Sequence, residues 1–127
     1  MVADRAGNRC EYCLMPAELA FYKLQVDHIT PEKQDGPTIL ENLAMACKPC
    51  NCYKGYSVVR YYYDTGKIVE LYNPRKQEWV DHFRLLITGE IIGLTDTGTA
   101  TAEVLNFNLT PRVEFRERMI SNGALKI

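Results

Sequence analysis

Two cysteine pairs, Cys10-Glu11-Tyr12-Cys13 and Cys47-Lys48-Pro49-Cys50, bracket the dipeptide Asp27-His28, and Asn51 follows the last cysteine directly. A CxxC turn presents two thiolates to one ion without strain, and two such turns complete a tetrahedral zinc site. The spacing therefore predicts a structural zinc held by Cys10, Cys13, Cys47 and Cys50. A redox CxxC would normally follow a strand in a thioredoxin-like βαβ pattern, which the sequence lacks; four buried free thiols are the remaining alternative. The stretch from Cys13 to Cys47 is longer than in a compact zinc ribbon, so it must carry something extra. It carries an acid, a histidine and, just beyond it, an amide. Those groups suit metal-dependent hydrolysis of a phosphodiester. Cys52 is left over, and is expected to be a buried thiol.

Several elements must bring these residues together. Phe21-Tyr22-Lys23-Leu24-Gln25-Val26 is β-rich and reads as a strand ending at Asp27-His28. Thr30-Pro31 breaks it, and Lys33 to Pro37 reads as loop. Thr38 and Glu41 have the spacing of a capping box, so a short helix is expected through Asn42 and Leu43. Pro49 suits the first turn of a helix and Gly55 its end, which would place Asn51 and Lys54 on one face. Further along, Asp64-Thr65-Gly66-Lys67 predicts a hairpin turn. Trp79 to Ile87 reads as a strand with Trp79, Phe83, Leu85 and Ile87 on one face. Ile91 to Leu94 returns, and helices are expected over 97–105 and 111–120.

The chain has 127 residues, 46% hydrophobic and 24% charged, which suits one soluble globular domain. The beginning lacks the apolar core of a signal peptide, and no apolar run is long enough to span a membrane. With five cysteines, this points to a reducing, cytoplasmic setting. The net charge of −1 does not suggest a protein that coats nucleic acid. Between Cys47 and Tyr63, however, Lys48, Lys54 and Arg60 stand without any acid. Such a patch can meet phosphate, although a plain solvated face is the alternative reading.

The strings Asp27-His28-Ile29-Thr30-Pro31, Glu41-Asn42-Leu43 and Cys47-Lys48-Pro49-Cys50-Asn51-Cys52-Tyr53-Lys54-Gly55 together resemble the HNH endonucleases. These are the ββα-metal, or His-Me finger, nucleases, and the resemblance is to their branch with a four-cysteine zinc. It runs from about Arg9 to Gly55. Leu71 to Arg75, Trp79, His82-Phe83 and Gly93-Leu94-Thr95 also resemble C-terminal extensions in this family. The third family position is often histidine; here it is Asn51. An amide oxygen is a harder ligand than imidazole, which favours Mg²⁺ or Mn²⁺.

The roles follow. An unperturbed histidine titrates near about 6.5, so a neutral His28 imidazole is available to take a proton from water. Asp27 and Asn51 offer oxygen ligands to one divalent cation, which can stabilise the phosphate and the departing oxygen. The resemblance implies that Asn42 positions His28. Lys54, with Lys48 and Arg60, would contact DNA phosphates. The expected architecture is a ββα-metal core over residues 1–60, pinned by zinc, with a β-rich extension over 61–127 packed on the same domain. The expected activity is metal-dependent DNA cleavage, with DNA as partner, and the weak net charge points to a second subunit or a partner protein that helps hold it. The alternative is a non-catalytic zinc-ribbon module that binds nucleic acid or protein.

Other residues are given structural roles. His82 and Trp79 are expected to pack. Tyr61, Tyr62 and Tyr63 are expected to pack rather than stack on bases. Arg75 is expected in an ion pair. Arg112, Arg116 and Arg118 alternate with Glu114 and Glu117, so that helix is expected to be solvated.

Overall fold

The computed structural model describes residues 2–126. After a short helix α1 (Val2–Arg5), the first knuckle is a tight turn. Cys10 N donates to Met15 O, Leu14 N to Cys10 O, and Leu14 takes a left-handed φ of 66°. Strand β1 (Gln25–His28) then pairs antiparallel with β2 (Leu43–Ala46), with Asp27 opposite Ala44 and His28 opposite Leu43. Helix α2 (Lys48–Lys54) follows, with Pro49 in its first turn and Gly55 ending it at φ 52°. The order β1, β2, α2 is the ββα arrangement expected. All of β2 is buried, and it bonds to the first knuckle through Glu11 N to Met45 O.

Hairpin β3 (Val59–Tyr62) and β4 (Lys67–Glu70) turns at 63–66, as the Asp-Thr-Gly-Lys string predicts. Next come the short helix α3 (Trp79–His82), hairpin β5 (Phe83–Leu85) and β6 (Ile91–Gly93), and helices α4 (Asp96–Val104) and α5 (Thr110–Ser121). The chain is thus α+β, with three two-stranded antiparallel sheets among the described residues. More of the second half is helix than strand.

Three expectations change. Trp79–His82 is helical, not strand, and Ile87 is exposed rather than on a buried face. Leu94 N donates to His82 O, which ties α3 to the end of β6. Second, the predicted helix after Thr38 is only a 3-10 turn, Leu40–Asn42, and Thr38 does not cap it. Its hydroxyl is used elsewhere, as described below. Third, α5 is not simply a solvated helix: Arg116 is 1% exposed, and its guanidinium donates to Gly89 O and Phe107 O.

The core joins the two halves. Cys10, Tyr12, Cys47 and Cys50 lie in one buried cluster with Tyr72, Phe83, Leu105 and Phe107. Trp79 packs against it, and its indole N–H donates to Tyr12 O at 2.8 Å. Arg75 pairs with Glu11, inside the first knuckle, as an ion pair was expected to do for Arg75. His82 has a structural setting: Nδ1 lies 2.7 Å from the Thr95 hydroxyl. No helix among the described residues is long and apolar enough to cross a membrane.

Candidate active site

The four knuckle sulfurs converge. Cys10, Cys13, Cys47 and Cys50 are all buried, and their Sγ atoms lie within 4.8 Å of one another. Cys13 and Cys47 Sγ are 3.6 Å apart. A zinc–sulfur distance of about 2.3 Å places tetrahedral sulfurs roughly 3.8 Å apart, so the cluster fits zinc as it stands. Its electrostatics also call for a cation. Burial pushes the Cys10 and Cys50 thiols well up, while hydrogen bonds with the other cysteines pull Cys13 well down. Four such groups packed together cannot all ionise without a metal. Cys52 is exposed and stands apart, which corrects its expected burial. An i+2 offset from Cys50 on a helix explains this, because such residues do not share a face.

Sequence reasoning missed Arg112. Its guanidinium donates to Cys50 Sγ at 3.1 Å and lies 3.9 Å from Cys47 Sγ. It also donates to Leu105 O and Asn106 O. Burial works against its charge, and the cysteine sulfurs overcome that and push its pKa up. No local signal marks it, since it approaches the cluster from 62 residues away.

Asp27 and His28 are neighbours in β1, so their side chains leave the strand on opposite faces. Asp27 is 5% exposed. Its Oδ2 accepts from the Tyr12 hydroxyl at 2.8 Å and lies 3.2 Å from Lys54 Nζ. Lys54 is itself 2% exposed and also donates to Ile29 O and, at 3.4 Å, to His28 O. This corrects the role expected for Lys54: its ammonium is spent inside the fold and does not face phosphate. The helical spacing was right, but the face points inward. Asn51 lies in the middle of that helix, and its amide nitrogen donates to Gln25 Oε1 at 2.6 Å. Gln25 is two residues before Asp27 in β1 and on the same face, so period-two spacing was the signal available for it.

The His28 ring is half-buried. Its Nε2 lies 2.9 Å from Thr38 Oγ1 and 3.8 Å from Glu32 Oε1. Nδ1 makes none of the hydrogen bonds among the described residues. Asn42 does not bond the ring. Its buried amide accepts from Thr30 N and donates to Thr30 O and Pro37 O, while its own carbonyl accepts from Ile29 N. It therefore braces the loop that leaves His28 and returns with Thr38. Gly36 lets that loop close, because a Cβ there would lie 1.7 Å from Thr30 O.

Of the basic residues, Lys48 is exposed, with Nζ 4.1 Å from the Tyr22 ring centre. Arg60 is 3.6 Å from Glu103 and stacks over Tyr62. Its charge is thus largely paired, which weakens the patch the sequence suggested. Tyr61 and Tyr63 are exposed, contrary to the packing expected for them, and touch each other edge to face.

Residues 10–57 match the family model described as HNH endonuclease. The match runs from the first knuckle through α2 and leaves the later elements outside it. This match and the four-cysteine cluster together are consistent with the zinc-binding branch of that family. No curated protein and no solved structure matches the chain.

Proposed function

We propose that this chain is a metal-dependent nuclease that hydrolyses DNA phosphodiester bonds, a reading supported by the match of residues 10–57 to the HNH endonuclease model. The observation that supports this best is the placement of His28 at a braced strand end, with Nε2 held by Thr38 and Nδ1 left to take a proton. Neutral imidazole acts there as general base on the attacking water. Thr38 fixes the ring, because a hydroxyl can donate to or accept from whichever tautomer is present.

The donor set opposite suits one hard divalent cation, Mg²⁺ or Mn²⁺. Asp27 has Oδ1 outside its contacts with Tyr12 and Lys54, and Asn51 has its amide carbonyl, since Gln25 takes the nitrogen side. When bound, such an ion supplies positive charge to the scissile phosphate and the departing oxygen. Of Lys48, Lys54 and Arg60, Lys48, three residues before Asn51 on α2, is exposed with only the Tyr22 ring against its ammonium, and is the one left to meet the DNA backbone. The structural metal is zinc at the four cysteines, which fixes the ends of β2 and α2.

One observation favours the alternative, a non-catalytic zinc module that binds nucleic acid or protein. The Asp27 carboxylate is already neutralised by Lys54, which lowers its pull on a cation. Incubation of supercoiled plasmid with Mg²⁺ or Mn²⁺ separates the two readings. Nicking or cutting that EDTA stops and added Mg²⁺ restores supports the nuclease. Intact plasmid across millimolar Mg²⁺ and Mn²⁺ supports the binding module.

A further inference from the structure

The first knuckle does more than hold zinc. Tyr12 sits between two of the zinc ligands, Cys10 and Cys13, and is 1% exposed. Its ring packs edge to face against Tyr72, and its backbone carbonyl is held by Trp79. The ring therefore has little freedom. From there its hydroxyl crosses 15 positions in sequence to donate to Asp27 Oδ2. Lys54 approaches the same oxygen from α2, four residues after Cys50. Both contacts fall on Oδ2, and Oδ1 makes none of the hydrogen bonds or ion pairs among the described residues.

We infer that Tyr12 is a positioning residue for Asp27: the zinc knuckle carries a phenol that fixes one carboxylate oxygen and leaves the other for the divalent cation. This rests on the proposed nuclease reading, in which Asp27 is a ligand. Charge alone does not explain the arrangement. Lys54 already supplies the counter-charge, and an ammonium imposes little direction. A phenol donates along one line, so it fixes the rotation of the carboxylate. A group that orients a metal ligand typically changes metal affinity about 10–100-fold when removed. The zinc cluster and the cation site are then coupled through one side chain.

The test is Mn²⁺ binding to the zinc-loaded protein without DNA, followed by the loss of the free-Mn²⁺ electron paramagnetic resonance signal. Wild type, Tyr12→Phe and Asp27→Asn are compared at matched zinc content and at a temperature at which all three are folded. Tyr12→Phe should retain one zinc and weaken Mn²⁺ about tenfold or more. In cleavage assays it should raise the Mn²⁺ concentration for half-maximal rate by a similar factor, with the rate recovering at saturating Mn²⁺. If Asp27→Asn loses Mn²⁺ while Tyr12→Phe binds as wild type does, the inference is overturned and the nuclease reading stands. If Asp27→Asn binds Mn²⁺ as wild type does, the Asp27 charge holds no cation, and the inference is overturned together with the ligand role of Asp27 in the nuclease reading. Should Tyr12→Phe melt early or hold less than one zinc, the titration is repeated at a lower temperature on the folded fraction that retains one zinc, and wild-type Mn²⁺ affinity there overturns the inference.

Discussion

The Arg112 guanidinium, on α5, donates to the Sγ of Cys50, at the start of α2. Four thiolates around zinc carry a net charge of −2, and this contact places a buried cation against it. It also fastens the last long helix to the domain that carries His28. Arg112→Met should therefore weaken both. A charged hydrogen bond contributes about 1.5–3 kcal/mol, so the melting temperature should fall by roughly 4–10 °C. Zinc should pass to a colorimetric chelator about tenfold faster. Cys47→Ser, by comparison, should lose zinc outright and unfold. Unchanged chelation kinetics in Arg112→Met would show that the contact is incidental.

Lys54 gives a second test, because its burial makes a prediction opposite to that of a DNA contact. Lys54→Met leaves the Asp27 carboxylate buried without its partner and removes donors from Ile29 O and His28 O. Breaking a buried pair in this way costs about 3–5 kcal/mol. Urea unfolding should show that loss directly. A variant of full stability with weakened DNA binding would mean that Lys54 faces the substrate after all.

Asn42 should act through the loop and not through the histidine ring. Asn42→Ala strands Thr30 N, Thr30 O and Pro37 O, at a cost of about 1–3 kcal/mol. The loop carrying Thr38 then loosens, and cleavage should fall further than stability does. Thr38→Val should reproduce the loss of rate with little change in stability, since it removes only the contact to His28 Nε2. A Thr38→Val enzyme as fast as wild type would remove Thr38 from the site.

The local signals in the sequence were strong where one short stretch decides the structure. The two knuckles, the Pro49-to-Gly55 helix and the Asp64–Lys67 turn are of that kind, and the structure has each of them. Contacts between distant segments were not legible. Arg112 reaches Cys50 across 62 positions and Tyr12 reaches Asp27 across 15, and neither pairing leaves a periodic trace. Lys54 shows the remaining difficulty. Helical spacing put it on a face with Asn51, but only the packing of α2 against β1 shows that its end of that face is closed. Thr38 was misread for a related reason. A Thr followed three residues later by Glu is a helix-start signal, and a longer-range partner, His28, competes for its hydroxyl.

The central claim is that His28 is the general base of DNA cleavage. Its most direct test is the single-turnover rate of plasmid nicking in Mn²⁺ by wild type and His28→Ala, each holding one zinc and melting at the same temperature. General-base catalysis contributes about 10²–10⁴-fold, so the variant should be slower by at least about 100-fold. A His28→Ala protein that nicks at the wild-type rate contradicts the account.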